Sequence, residues 1–581
     1  MTDLLREQPK RMAQERLLLE EFACAEAWFS IDGWGATEAG ELCLNFRLKL
    51  LSATFDGVLI YPSHFPEVPA FVRPRRKGES WSRHQYQGSG VLCLEHGPDN
   101  WDPNVTGVDL VRSANVLLWN EMLRVVLPGT PAVPSRHADL PSQALRFEKR
   151  RFIVTKRFLD EIEKVPTGQP IVLKTATVLL GDHSVTMATA VGGTTQVRIA
   201  DVPEFGITDT LDRNGWFLPR SSRAPLGEVR DVATLKAALG ADWPWSDELG
   251  EPVQMLAVRG DDGMRAFALS GGAQPSFWEC KVVDFSDTSQ SRLPSAYDRL
   301  GGLTVAIVGI GSLGSKLAVS LARAGVLRFV LVDDDVLAPQ NLVRNELDWL
   351  SVGFEKVDAI AHKIRLVAPS AEVLTVSVQV AGQENPQVAA MVTDRLASCD
   401  LVIDATADPV AFLALASVCK RSKVTMAWGE VFGGGIGALM ARSRPGLDAD
   451  PLSIRNHVLG VLCSLQPISD RKVGRYAVEN DGQVLVASDA DVGALAASMT
   501  QFAIDAMCAG PDSQYPVAAY LLGYKTAWEF KQPFDTIPID CASAAQPAAP
   551  PESLTPDEEA AVQALVAAME NSRRAADNGT P

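Results

Sequence analysis

Leu303-Thr304-Val305-Ala306-Ile307-Val308-Gly309-Ile310-Gly311-Ser312-Leu313-Gly314 runs from a strand pattern through a glycine loop into a helix pattern. Leu303–Val308 is rich in β-branched residues, and Ser315–Ala324 has helical spacing. Glycines at 309, 311 and 314 at such a junction let backbone amides and a helix N-terminus face phosphate oxygens. The Gly-x-Gly-x-x-Gly pattern alone fits NAD, FAD or ATP, and equally a tight structural turn. The next strand pattern, Arg328–Val332, ends at Asp333-Asp334-Asp335. An acid at 333 has the separation expected of a ribose-binding carboxylate, which is still compatible with NAD. Strand and helix patterns alternate over about residues 291–541, as in a parallel, Rossmann-like α/β sheet.

The residues beyond Asp333 narrow the chemistry. Asn341-Leu342-Val343-Arg344 follows, then Lys356 after Gly353. Further on, the buried-strand pattern Leu401–Asp404 leads into Ala405-Thr406-Ala407-Asp408. Adenylating a carboxylate expels pyrophosphate, so cations and a metal are wanted where charge develops; hydride transfer needs no such cluster. This run resembles the nucleotide site shared by ubiquitin-activating (E1-type) enzymes and the bacterial ThiF-type adenylyltransferases of thiamine and molybdopterin pathways. The resemblance implies ATP and Mg²⁺ as cofactors. It places Gly309, Gly311 and Gly314 around the phosphates and Asp333 on the ribose. Asn341, Arg344 and Lys356 fall on the ATP phosphates and Asp408 on the metal. There are departures. Gly311-Ser312 stands where a glycine pair is usual, and Asn345 where Gln is usual. The spacing before Asp408 is one residue longer, so Asp404 competes as metal ligand. Asp334 and Asp335 read as solvated loop acids. Arg292 and Arg299 are candidates for the arginine that dimers of this family insert into the partner's site.

A second constellation lies near the N-terminus. Tyr61-Pro62-Ser63-His64-Phe65-Pro66-Glu67-Val68-Pro69 is too proline-dense for regular helix and follows a strand pattern as a rigid ledge. Gly90-Val91-Leu92-Cys93-Leu94 comes later, then Trp101-Asp102-Pro103 and a helix pattern over Val108–Val126. These offsets resemble a ubiquitin-conjugating (E2-type, UBC) α+β domain over roughly residues 10–127. The resemblance implies that Cys93 is a thioester-forming nucleophile; a buried structural cysteine is the plainer alternative. The family's His-Pro-Asn is replaced by Arg83-His84-Gln85. Gln85, or else His84, is then the candidate oxyanion donor, and a structural loop contact is the alternative for either. Asp99 and Asp102 are read as loop acids.

The whole chain of 581 residues is too long for one core. Its regions are an E2-like domain (1–145), a mixed α/β linker domain (146–290), the ThiF/E1-like adenylation domain (291–541), and a tail with a short helix (542–581). The fold class is therefore multidomain α/β. A net charge of −17 without a basic stripe argues against unaided binding to nucleic acid or an anionic membrane. The polar start lacks the apolar core of a signal peptide, which together with the absence of a long apolar run reads as cytoplasmic. None of the nine cysteines forms a Cys-x-x-Cys pair, which argues against structural zinc.

An activating enzyme also needs its own thiol. Cys541 is the first candidate, read as a mobile, exposed thiol before the Ala/Pro-rich tail. Cys463, after Arg444-Pro445-Gly446, is the alternative, and Cys508 closes an Ala-rich helix as a core residue. With both halves in one chain, the sequence resembles the fused conjugating–activating enzymes of bacterial CBASS anti-phage operons. That resemblance implies adenylation of the C-terminus of a partner protein, a cGAS/DncV-like nucleotidyltransferase (CD-NTase). It further implies thioester transfer from Cys541 to Cys93, conjugation to an acceptor lysine, and a homodimer. The competing readings are sulfur transfer of the ThiF/MoeB kind, an inert N-terminal binding module, and an NAD-binding oxidoreductase.

Overall fold

The computed structural model describes residues 3–51, 53–82, 84–86, 89–126, 145, 148–204, 210–221, 225–245, 249, 252–261, 263–271, 275–287, 293–465, 471–472, 477–480, 483–542 and 555–577. The chain divides into two compact units, Met1–Phe147 and Glu148–Pro581. No described helix is long and apolar enough to cross a membrane.

The first unit opens with α1 (Asp3–Glu7) and α2 (Pro9–Ala25). Proline at the first position of α2 costs no hydrogen bond there, and Met12, Glu15, Leu19 and Phe22 recur on its buried face. An antiparallel meander follows in the order β1 (Phe29–Ala36), β2 (Leu42–Leu50), β3 (Ala53–Tyr61), β4 (Phe71–Pro74). After a long loop comes α3 (Gly107–Val126), which packs on α2, β2 and β4. The buried carboxylate of Glu15 fastens the helices together. It accepts from the Gly107 amide at 2.7 Å and the Tyr61 hydroxyl at 3.0 Å, and it pairs with Arg11 at 3.0 Å. A Cβ on Gly107 would stand 2.3 Å from the Tyr61 hydroxyl, so only glycine fits at this crossing.

The linker region combines strands with short helices, and strands dominate: β5 (Arg150–Val154), β6 (Ile171–Leu180), β7 (His183–Val191), β8 (Val197–Arg198), β9 (Thr210–Pro219), β10 (Gln254–Gly260), β11 (Gly263–Ser270) and β12 (Ser276–Asp284). β5 pairs with both β12 and β7, so the sheet closes on itself, and β8 hangs from β7. The two helices here are short, α4 (Lys156–Ile162) and α5 (Val232–Leu239). Alternate residues serve two cores: Phe217, Met255 and Ala266 join one with Phe158 of α4, while Leu218, Leu256 and Phe267 join the other with Leu235 of α5.

The rest of the second unit is a doubly wound sheet. Its strands are β13 (Thr304–Val308), β14 (Arg328–Val332), β15 (Glu372–Val376), β16 (Leu401–Asp404), β17 (Thr425–Phe432) and β18 (Gly437–Ser443), with β22 (Ala519–Gly523) and β23 (Thr536–Ile539). The order is β15-β14-β13-β16-β17-β18-β22-β23, parallel through β17 and antiparallel beyond. The helices are α6 (Ser312–Arg323), α7 (Lys356–Val367), α8 (Pro386–Ala397), α9 (Pro409–Ser422), α10 (Pro451–Ser464) and α11 (Asp489–Cys508). Val305, Ile307, Phe329 and Leu331 face one core; Ala306, Val308, Val330 and Val332 face the other. That burial on both faces is why β13 and β14 read as continuous apolar runs. A small sheet, β19 (Arg471–Lys472), β20 (Ala477–Asn480) and β21 (Gln483–Val486), lies in sequence between α10 and α11. The tail helix α12 (Pro556–Asp577) starts as its sequence directs: Thr555 and Glu558 cap each other reciprocally.

Candidate active site

The glycine loop leaves β13 at its C-terminal end, where doubly wound sheets bind ligands. Each glycine has its own reason. Gly309 has φ +87° and presses against the backbone of Ala405 and Thr406, which a Cβ would approach to 3.0 Å. At Gly314 a Cβ would stand 1.8 Å from the Gly309 carbonyl oxygen. A Cβ at Gly311 would meet no atom within 4 Å, so protein packing does not account for the third glycine. The loop runs straight into α6 at Ser312, three residues earlier than its spacing predicts.

Asp333, just past β14, organises this loop. Its carboxylate accepts from the Ile310 amide at 2.6 Å and from the Asp335 amide at 2.8 Å. Burial holds its carboxyl above the usual range, against the pull of those two amides and of Lys356. Asn345 holds the loop from the other side. It donates to the carbonyls of Ile310 (3.3 Å) and Gly311 (3.4 Å) and is itself buried. Sequence reasoning marked Asn345 only as a departure from Gln; its position beside Arg344 was the available signal.

Lys356 is the first residue of α7, with a side chain only 6% exposed. Its ammonium pairs with Asp335 at 2.6 Å, so the expectation of Asp335 as a merely solvated acid is corrected. Asn341 caps its own turn by accepting from the Ala338 amide at 2.9 Å. Arg344 donates to the Ala487 carbonyl at 3.0 Å, just before α11. The acid that ends β16 and the one four residues beyond it have separate tasks. Asp404, 5% exposed, uses Oδ1 to hold the Thr406 amide and hydroxyl. Burial raises its carboxyl. Asp408 uses Oδ1 to cap α9 at Val410. Ala407 between them has φ +54°, an uncommon strain for alanine that turns the loop back. Neither Oδ2 has a hydrogen-bond partner among the described residues.

In the first unit, Cys93 is half-buried on the loop before α3, and its amide donates to the His84 carbonyl at 2.8 Å. The Trp101 indole holds this loop to the proline ledge through the Pro66 carbonyl at 2.6 Å. Burial pushes the Cys93 thiol up, Asp99 adds to that, and the Tyr86 hydroxyl, 4.0 Å from Sγ, opposes it. Gln85, the candidate oxyanion donor, is engaged within its own loop. Its Nε2 donates to the carbonyls of Glu79 and Gly90, both at 2.9 Å, and its Oε1 accepts from the Trp81 amide at 2.8 Å. The amide is thus consumed in clasping its own loop. His84 contributes backbone bonds to Cys93 and Ser82, and Arg83 lies outside the described residues.

With this geometry in place, residues 287–550 match the ThiF family. They form a ThiF-family domain. Among relatives, the uncharacterized protein y4qC of Sinorhizobium fredii is 37% identical over 140 residues, 23% of this chain and 24% of that protein. The ATP-dependent ubiquitin transferase-like protein Cap2 of Pseudomonas aeruginosa is 31% identical over 130 residues, 22% of each chain. These alignments span about a quarter or less of the curated relatives. The crystal structure of Escherichia coli MccB with ATP is 15% identical, covering 44% of this chain and 67% of MccB, with a TM-score of 0.33.

The ThiF domain carries both candidate activating thiols, and they differ sharply. The expectation of Cys541 as a mobile, exposed thiol is corrected. It is 4% exposed and packs in the core with Ile454, Val458 and Ile539. Burial pushes its thiol up to about 11, with Asp540 and Asp448 adding to the shift. At pH 7 that leaves on the order of one molecule in ten thousand as thiolate. Cys463 is exposed on the last turn of α10. Cys508 ends α11 half-buried. Arg299 donates to the Cys508 carbonyl at 3.2 Å, and Arg292 lies outside the described residues.

Proposed function

We propose that this protein activates the C-terminal carboxylate of a partner protein with ATP and passes the acyl group through two cysteine thioesters to an amine. The observation that carries this reading is the pairing of a ThiF-family domain with a separate compact unit presenting Cys93 between a proline ledge and a helix. Similarity to the Cap2 proteins at 31% and 32% identity supports it.

ATP is proposed to lie along the glycine loop, where Gly311 has open space beside it. Asp333 fixes the loop and faces the ribose. Arg344, Lys356 and the free Nδ2 of Asn341 supply positive charge and donors for the phosphates. The metal site fits Mg²⁺ bound chiefly through phosphate: Asp404 and Asp408 each keep one carboxylate oxygen, and no group of three ligating side chains occurs among the described residues. Bound there, Mg²⁺ would neutralise charge on the phosphates. The chain's own residues hold the loop, orient the phosphates and place the acids.

The partner's carboxylate oxygen attacks the α-phosphorus, the α–β anhydride bond breaks, and pyrophosphate leaves. A thiolate of the ThiF domain attacks the acyl carbon and AMP leaves. Exposure favours Cys463 for this step over Cys541. The Cys93 thiolate then attacks the first thioester and releases the first thiol. A lysine amine attacks the second thioester, forming an isopeptide bond and releasing Cys93. The partner class remains the cGAS/DncV-like nucleotidyltransferase implied by the resemblance. A homodimer through the ThiF domain is part of the reading: Val336, Val343, Trp349, Leu350 and Phe354 are each more than half exposed within residues 336–354.

The test combines full-length protein, Mg·ATP and a purified candidate nucleotidyltransferase on non-reducing gels. Thiol-sensitive adducts that need ATP, and conjugates lost in Cys93→Ala, are expected. NAD reduction without any ATP-dependent adduct overturns the reading.

A further inference from the structure

Cys93 lies on a short antiparallel clasp. Gln85 and Leu92 pair across it, the Cys93 amide donates to the His84 carbonyl at 2.8 Å, and the Tyr86 amide donates to the Val91 carbonyl at 2.8 Å. The Leu92 amide donates to the Val72 carbonyl at 2.9 Å, which fixes the clasp to β4. Side chains alternate between the two faces of such a pairing. Gln85 therefore shares a face with Leu92, which is buried, and its amide is taken up by Glu79, Trp81 and Gly90. His84 and Tyr86 share the other face with Cys93, His84 directly opposite it and Tyr86 on the diagonal. A diagonal neighbour is within reach of an aromatic side chain.

The Tyr86 side chain spans that diagonal. Its hydroxyl stands 4.0 Å from Sγ of Cys93, and the residue is 46% exposed. Besides burial, two groups act on the sulfur, and they act in opposite directions. Asp99 is an anion and raises the thiol; the Tyr86 hydroxyl lowers it, as a donor to a thiolate does. An acyl group on Sγ carries its carbonyl oxygen one atom beyond the bonded carbon. That oxygen can therefore lie nearer to the hydroxyl than the sulfur does, at the separation of about 2.7–3.1 Å that an oxyanion donor needs. Negative charge developing there is repelled by Asp99 and can be met by a phenol O–H.

We infer that the Tyr86 hydroxyl donates to the oxyanion of the tetrahedral intermediate built on Cys93. This rests on the proposed function and names the group that stabilises both of its Cys93 steps. In the first, the Cys93 thiolate attacks the carbonyl carbon of the incoming thioester. The carbonyl π pair moves to oxygen, then returns as the bond to the first thiol breaks. In the second, a lysine amine attacks the same carbon and the oxyanion forms again. The carbon–sulfur bond then breaks with its pair on Sγ, and the amine's proton passes to solvent. Tyr86 keeps its own proton throughout. The oxyanion is joined to Sγ through a single carbon in both steps, so one fixed donor serves both.

Charging without ATP makes the test independent of adenylation. The probe is the mercaptoethanesulfonate thioester of acetyl-Ala-Ala-Gly, which acylates accessible cysteines of the full chain by thiol exchange. Free lysine is then added, and loss of the acyl group from Cys93 is followed by peptide mass spectrometry, with Cys24, exposed on α2, as the internal reference. The acyl group is expected to leave Cys93 about a hundredfold faster than Cys24, and Tyr86→Phe should erase that advantage by the same factor at every lysine concentration. Thermal unfolding of Tyr86→Phe should match the wild type. A hydroxyl that acted only on thiol ionisation would slow charging and leave discharge of the preformed thioester unchanged, and that result overturns the inference while keeping Cys93 as the transfer site. A loss of discharge in His84→Ala with none in Tyr86→Phe also overturns it. Discharge from Cys93 no faster than from Cys24 in the wild type overturns it together with the Cys93 half of the proposed function. Tyr86-dependent discharge in a protein that shows no ATP–pyrophosphate exchange upholds the inference and removes the adenylation reading.

Discussion

The Ile310 amide donates to Oδ2 of Asp333 at 2.6 Å, tying the residue between Gly309 and Gly311 to the end of the neighbouring strand. A carboxylate proposed to face the ribose is thus also the post that holds the phosphate loop. Asp333→Ala should cost both roles. Loss of a charged acceptor is worth about 1.5–3 kcal/mol, so ATP affinity by calorimetry should fall roughly ten- to hundredfold. Asp333→Asn keeps one acceptor oxygen and should fall between. An unchanged affinity in Asp333→Ala would remove Asp333 from the site.

Lys356 and Asp335 form a second test. Lys356→Ala leaves Asp335, which is 45% exposed, to water, so folding should change little. Pyrophosphate exchange should drop at least about a hundredfold, since a preorganised cation is missing where charge develops. Asp335→Ala does the opposite: it strands a buried ammonium and should lower stability by about 3 kcal/mol, read by thermal unfolding.

Much of this architecture was legible in the sequence because its signals are local. Arg328–Val332 and Leu401–Asp404 are strands with the bounds that their patterns predict. Thr555-Pro556 starts a helix as its capping residues direct. What escaped is set by distant partners. The closure of the linker sheet depends on β5 meeting β7, a parallel pairing that no turn residue announces. The burial of Cys541 depends on Ile454 and Val458, more than eighty residues away in the chain. Asn345 holds the loop through carbonyls 34 and 35 positions upstream, and its amide looks the same in sequence whether it grips a backbone or points to water.

The two candidate thiols separate cleanly by mutation. Cys463→Ala should leave ATP–pyrophosphate exchange intact and abolish thioesters on the ThiF domain, read by mass spectrometry with and without reductant. Cys541→Ala should leave those thioesters in place and lower stability by about 1 kcal/mol, the cost of trimming a small buried side chain.

Cys93 carries a pH signature. Its thiol lies above the ordinary value, so the reactive thiolate is a minority throughout the neutral range. Transfer to Cys93 should therefore speed up about tenfold per pH unit from 6 to 8. Tyr86→Phe removes the hydroxyl that opposes the shift, so the profile should move toward higher pH and the rate at pH 7 should fall. A pH-independent rate would mean that thiol ionisation does not limit the step.

Glu15 supports the unit that carries Cys93. Glu15→Ala leaves the Gly107 amide and the Tyr61 hydroxyl without this acceptor, and leaves Arg11 with the Val105 carbonyl but no counter-charge. A cost of about 3 kcal/mol is expected, seen as faster hydrogen exchange in Pro9–Ala25 and Gly107–Val126.

Intact mass spectrometry of the full chain with Mg·ATP and a candidate partner protein tests the central claim most directly. The account predicts an ATP-dependent, reductant-sensitive mass increase equal to the partner less one water. That adduct should map to Cys93 in the wild type and stay on the ThiF domain in Cys93→Ala. A partner that is adenylated and releases pyrophosphate but never appears on any cysteine would contradict it.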